Sequence, residues 1–364
     1  MDESLVAPKR ERNYWIDLGR LLMAFFVVGI HATRKASWAA SINEPLTALN
    51  PSLFRMAVPF FFICTAYFAY DTFLRNGRDP KVFFKSALRY LFLYGFWTFL
   101  YLGVILRETY YGTGKAVGTY SLWFIQEFFL NSPLSVFWFL RASALGLAVF
   151  GLLFLIPKMK PIYLLPLALI LFFIGTFGDS YYVFLNDSLK SVYDRYLTTF
   201  YTTRNFTFFG SVFMVLGFLV RDLESLYVPD KKGWIALLVG LALSVVLIFL
   251  ESYLVMTYAG NHSLKMKDYN IWYSLLFLDP LFFYVLLMIK KPLKLPGVKY
   301  IGSLASLLYF THIYFRDLFD EFFADNALLT NLHFKYFLVV SMALVFSIII
   351  IGVSSSSRIR KWVY

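Results

Sequence analysis

Residues 14–34 read Tyr-Trp-Ile-Asp-Leu-Gly-Arg-Leu-Leu-Met-Ala-Phe-Phe-Val-Val-Gly-Ile-His-Ala-Thr-Arg, an apolar run long enough to cross a bilayer as a helix. Inside it stand Arg20 and His31, groups that lipid excludes, eleven residues apart. Eleven steps of about 100° return to nearly the same helical face, and at about 1.5 Å per residue the two groups lie roughly 16 Å apart along it. One then sits near the inner membrane boundary and the other beyond the midplane, and both are expected to face the same interior cavity. An ionisable group inside a membrane helix costs at least ~2.5 kcal/mol, which makes a pathway or site the default reading of the pair. The plainer alternative is that Arg20 snorkels to one headgroup layer and His31 to the other.

Around this run the composition is that of a membrane protein. Of the 364 residues 59% are hydrophobic and only 15% charged, more apolar surface than a soluble core of this size hides. The apolar runs approach twenty residues, unlike the short alternating strands of an outer-membrane barrel, so an all-α polytopic helix bundle is expected. Ten spans are predicted, at about 14–34, 52–74, 82–106, 134–156, 161–178, 204–221, 233–251, 271–289, 298–316 and 334–353. The polar, charged start, Met1 to Asn13, leads into a full-length span, so no cleaved leader is expected. One transmembrane domain, 14–353, is expected between an N-terminal tail, 1–13, and a C-terminal tail, 354–364.

Alternate loops divide the basic residues unevenly. Nineteen of the 34 Lys and Arg fall on the side of the two termini, in short loops, against about eleven in the longer loops opposite. The positive-inside rule then places both termini in the cytoplasm of a cell membrane protein, and the net charge of +12 needs no nucleic-acid partner. Segment 120–130 is too short to span and is expected to lie at the interface or re-enter. Cys64 is the single cysteine, so neither a disulfide framework nor a cysteine metal cluster is expected, and no metal site is proposed.

No phosphate-binding loop, dinucleotide fingerprint or His-Glu-x-x-His motif occurs. The remaining chemistry is that of intramembrane His and Arg. Of the four histidines only His31 and His312 fall inside spans, toward their outer ends, where they could line one cavity. A neutral imidazole there can act as general base toward a hydroxyl. The alternative for His312 is a hydrogen bond between helices. At the inner helix ends Arg20 on the first span, with Lys85 and Arg89 on one face of the third, form a candidate anion site. Asp17, one turn before Arg20, could simply pair with it. Arg141 and Arg55 enter their runs from the outer side. Trp138 could stack on Arg141, and Pro59 could break the second span to line a cavity. Thr65, Ser303, Ser306 and Tyr309 are polar groups of the kind that join helices.

The Arg20…His31 spacing, with the residues around it, resembles the first span of the transmembrane acyltransferase 3 family, integral-membrane O-acyltransferases of cell-surface and secreted carbohydrates. Val-Pro-Phe-Phe-Phe-Ile-Cys-Thr-Ala-Tyr-Phe (58–68) is similar to that family's second span, with Thr65-Ala66-Tyr67 where Ser-Gly-Tyr is usual. Phe137-Trp138-Phe139-Leu140, Phe209-Gly210 through Gly217-Phe218, and Ile301-Gly302-Ser303 through Tyr309-Phe310-Thr311-His312 resemble later blocks in the expected order. The likeness runs from about residue 11 to 353. It departs at the third span, where Lys85-x-x-x-Arg89 stands for the family's Arg-x-x-Arg.

The resemblance implies acyl-coenzyme A as co-substrate, with no permanently bound cofactor. Its phosphates would dock against Arg20, Lys85 and Arg89, and its thioester would reach His31, which would activate a hydroxyl of an extracytoplasmic glycan or lipid-linked sugar. Arg141, Trp138, Tyr309, His312 and Arg55 would line the acceptor side. The acyl group, probed first as acetyl, and the oligomeric state stay open. So does a different class of function: an exporter of polysaccharide or lipid-linked sugar could use the same buried charges.

Overall fold

A computed structural model describes residues 11–33, 45–107, 117–264, 266–322 and 331–354. The expected tails therefore lie largely outside the described residues. In chain order the helices are α1 Tyr14–Ala32, α2 Pro45–Leu49, α3 Ala57–Arg75, α4 Lys81–Leu100, α5 Leu102–Ile105, α6 Val117–Leu130, α7 Trp138–Leu153, α8 Pro161–Thr176, α9 Asp187–Phe200, α10 Ser211–Leu226, α11 Lys231–Asn261, α12 Leu275–Met288, α13 Ile301–Phe322 and α14 Leu332–Ser354. No strand occurs among the described residues. Each of the ten predicted stretches coincides with a helix. Among the described residues six segments, rather than ten, are long and apolar enough to cross a membrane: Tyr14–Ala32, Leu53–Arg75, Thr119–Leu153, Phe206–Leu226, Lys231–Asn261 and Leu332–Ser354. Two shorter apolar helices, α8 and α12, accompany them.

Helix α1 sits at the centre, packed on α13, α3 and α14. Asn13 caps it, its side-chain oxygen accepting from the Trp15 N–H (2.9 Å) while its Nδ2 donates to the last turn of α12. Around this centre α3 packs on α10, α4 on α7, and α8 on α10. Close approach of α3 and α10 requires Gly217, where a Cβ would lie 2.6 Å from the Ile63 carbonyl oxygen. The interior is aromatic: Phe60, Phe62, Tyr67, Phe83, Phe213 and Phe283 are fully buried. Outside, Leu238, Val239, Leu243, Val246 and Leu250 of α11 are exposed, the arrangement expected of a helix whose solvent is lipid rather than water.

The structure corrects several boundaries. Helix α11 was expected to end at Glu251 but runs ten residues further. Glu251 stays in the helix because its carboxylate accepts from the Tyr181 hydroxyl and from the N–H groups of Tyr273 (2.7 Å) and Ser274 (2.8 Å). Pro59 does not break the second span. It falls in the first turn of α3, where its missing N–H forfeits no helical bond, behind a 3₁₀ turn at Leu53–Met56. Segment 120–130 is part of α6, and the loop 179–203 folds its second half into the amphipathic α9.

Candidate functional site

Arg20 and His31 do not face one cavity as expected: about 16 Å of helix separates them, and each lines a cavity of its own. The larger, about 520 Å³, is lined at the helix ends by Arg12, Arg20, Arg89, Thr72, Ser86 and Ser306. These positions come from just before α1 and its second turn, the last turn of α3, the second and third turns of α4 and the second turn of α13, so they lie toward one end of the bundle. Farther in, the wall becomes apolar, with Phe61, Leu93, Phe139, Leu140 and Phe310, and Cys64 lines it too. A cationic, hydroxyl-rich mouth over an apolar throat suits a phosphorylated head carrying a thin, less polar arm.

Asp17 organises the mouth. Its two carboxylate oxygens accept from Arg12 Nε (2.5 Å) and Arg20 Nη1 (3.2 Å), as the one-turn spacing suggested. Arg20 Nη2 donates to Ser306 Oγ (3.1 Å), linking α1 to α13. The approach depends on Gly302, where a Cβ would stand 2.5 Å from Asp17 Oδ1. Arg20 thus presents a guanidinium fixed on one side, with remaining donors for an anion. Arg89 joins this wall, whereas Lys85 is exposed on α4 and is not part of it. Thr65 joins helices, its hydroxyl 2.6 Å from Tyr90 OH.

The smaller cavity, about 100 Å³, is lined by His31, Arg55, Trp138, Arg204, Asp268 and Asn270, with Tyr309 and Phe139 common to both cavities. Its rim is a hydrogen-bonded lattice of loop residues. Buried Asp179 accepts from the Asn270 N–H (2.6 Å), Asn270 Nδ2 (3.0 Å) and the Ile271 N–H (3.2 Å). Asn270 Oδ1 then accepts from both Arg55 Nη1 and Arg204 Nη1 (2.8 Å). Arg55 also donates Nε to the Asn50 carbonyl (2.7 Å) and Nη2 to the Asn50 side chain, and lies over the Tyr269 ring. Burial pushes the Asp179 carboxyl above the usual range. Burial acts on Asp268 in the same direction, but Arg204 and Arg55 outweigh it and hold that carboxyl below its ordinary value. Asp179→Ala would leave the buried Asn270 N–H and its Nδ2 without their acceptor, at about 1–3 kcal/mol each, while the Ile271 N–H keeps Ser180 Oγ. A clearly lowered melting temperature in a thermal shift assay is the expected readout.

His31 and His312 meet, with ring centroids 5.4 Å apart. His312 is fully buried, and its Nδ1 lies 2.8 Å from the Tyr309 carbonyl and 3.2 Å from that of Leu308. Carbonyls only accept, so Nδ1 carries the proton and Nε2 is left as an acceptor. The alternative of a hydrogen bond between helices is thereby replaced by bonds within α13. Arg141 departs from its expected place. Its Nη1 donates to the Phe129 carbonyl (2.9 Å), tying α7 to α6, and it lines neither cavity. Trp138 carries a different cation, Arg204, 5.3 Å from its ring centroid. Arg12, Arg204, Asp179, Asp268 and Asn270 were not singled out from the sequence. Arg12 reads there as ordinary inner-side charge, and the other four lie at span edges or in loops that carry no periodic signal.

A family model described as an acyltransferase domain (Acyl_transf_3) matches residues 13–352. An amino-acid racemase of Enterococcus faecalis is 28% identical over 229 residues, covering 62% of this chain and 30% of that protein. A serine/alanine racemase of Enterococcus gallinarum is 26% identical over 306 residues, 83% of this chain and 41% of the relative. The match thus spans less than half the length of these relatives. No solved structure matches it.

Proposed function

Since this chain belongs to the acyltransferase 3 family, we propose that it is a membrane-embedded O-acyltransferase carrying an acyl group from cytosolic acyl-coenzyme A to a hydroxyl on the outer side of the plasma membrane. The observation that carries this reading is the division of labour along α1, with Arg20 in a cation-mouthed cavity and His31 in a separate one at the other end. The proposal includes ten spans and cytoplasmic termini, which put the Arg20 mouth inside, in keeping with the excess of Lys and Arg on that side.

In the proposed cycle the coenzyme phosphates bind Arg20, Arg12 and Arg89, and the pantetheine arm follows the apolar throat toward His31. His31 takes the proton of the acceptor hydroxyl as its oxygen attacks the thioester carbon. The carbon–sulfur bond breaks, the ester forms, and the proton passes to the leaving thiolate to give free coenzyme A. The His312 ring packs beside that of His31, and with its Nδ1 committed to backbone carbonyls its Nε2 is a second proton acceptor next to the first. The small outer cavity admits the hydroxyl-bearing end of an acceptor rather than a whole saccharide, and glycans and lipid-linked sugars remain the proposed acceptors. Because one relative is named a serine/alanine racemase, a hydroxy amino acid belongs in the acceptor panel.

Purified protein in lipid, given acetyl-coenzyme A and cell-envelope acceptors, should release free thiol at a rate above that of an empty membrane. No release with any acyl donor would remove the enzyme reading and favour the exporter.

A further inference from the structure

Phe139 and Tyr309 line both cavities, so they form the partition between the charged mouth and His31. Phe61 completes the wall. The three rings come from α3, α7 and α13 and touch pairwise: Phe61 and Phe139 at 5.8 Å between centroids, Phe61 and Tyr309 at 6.2 Å, Phe139 and Tyr309 at 6.2 Å. Two of the pairs are edge-on, the arrangement that the aromatic quadrupole favours. Tyr309 is anchored, its hydroxyl donating to the Val136 carbonyl (2.6 Å) in the 3₁₀ turn that leads into α7. Phe139 is held edge-on by Phe62 at 4.9 Å.

Resting on the acyltransferase reading, we propose that Phe61, Phe139 and Tyr309 are a septum that seals the two chambers from each other, parts only for the thin arm of the donor, and limits the group delivered to His31 to a short acyl chain. A ring triad on three helices is suited to this. It excludes water and ions by packing, yet one side-chain rotation opens it without moving a helix. The chamber beyond is about a fifth of the volume before it, about 100 against 520 Å³, so a long acyl tail that passed would find no room beside the acceptor.

Cys64 makes the seal measurable without any activity, because this single cysteine lines the larger chamber and not the smaller. In sealed vesicles a charged, membrane-impermeant methanethiosulfonate should modify Cys64 from the Arg20 face and much more slowly from the His31 face. Phe139→Ala should raise the rate from the His31 face while leaving the Arg20-face rate unchanged, which also certifies that the variant is folded. Tyr309→Phe, which loses only the anchor to Val136, should raise it less. Equal rates from both faces in the unmodified protein, or no rise in Phe139→Ala and Phe61→Ala, would overturn the septum. A second readout is the donor profile from acetyl to octanoyl. Phe139→Ala should gain about tenfold or more in relative kcat/KM for the longer donors, the order of discrimination that a methylene-sized change in a pocket gives. Labelling that changes as stated in a protein that turns over no acyl donor would leave the septum standing and remove the acyltransferase reading. Turnover with an unchanged profile and unchanged labelling would do the reverse.

Discussion

His31→Ala should reduce acyl transfer by about 10²- to 10⁴-fold while the protein inserts and folds normally, the usual loss when a general base is removed. The side chain stands on α1 in the wall of the smaller cavity, and truncating it removes a proton acceptor and one ring contact with His312. The packing of α1 instead rests on Val27, Val28 and Gly29, with Gly29 against the Phe54 ring. The loss should fall on kcat, with the apparent affinity for the donor unchanged, because the proposed site for the coenzyme head is the Arg20 cavity at the other end. Transfer within threefold of the unmodified protein would remove His31 from the chemistry.

Arg20→Ala should show the opposite split. Losing one charged hydrogen bond to a phosphate costs about 1.5–3 kcal/mol, or roughly 10- to 150-fold in donor affinity. Arg20→Lys keeps the charge but not the fork that reaches Asp17, Ser306 and an anion together, so an intermediate loss is expected. Because Asp17 keeps its bond to Arg12, the mouth stays organised in the variant. A raised donor KM with kcat little changed is the expected result of steady-state kinetics. An unchanged KM would place the coenzyme elsewhere.

What the sequence made legible is what helical periodicity and lipid solvation encode. Eleven-residue spacing put Arg20 and His31 on one face, and the charge distribution among loops suggested which ends share a side. His31 and His312 were expected to line one cavity; they pack ring against ring because α1 packs on α13, but only His31 lines the cavity and His312 is buried behind it. The lattice of Asp179, Asn270, Arg55 and Arg204 was not legible, since four separate chain segments supply it and no period links a loop to a loop. Trp138 was assigned to Arg141 because they are neighbours on one helix, but the structure gives it Arg204 from the turn before α10. Lys85 and Arg89 share a face by spacing, and only the deeper one reaches the cavity wall. Glu251 looked like a helix end because charge is costly in lipid, a cost that the Tyr273 and Ser274 N–H groups and the Tyr181 hydroxyl offset.

The account stands on one claim, that the acyl group enters at the Arg20 mouth and leaves at the His31 side. Right-side-out vesicles from cells expressing the protein, loaded internally with acetyl-coenzyme A labelled in the acetyl group, test it with their native acceptors in place. The account predicts alkali-labile, ester-bound label on externally accessible material, absent from vesicles carrying His31→Ala. Label that forms only when the donor is supplied outside, or that appears equally with His31→Ala, would contradict it.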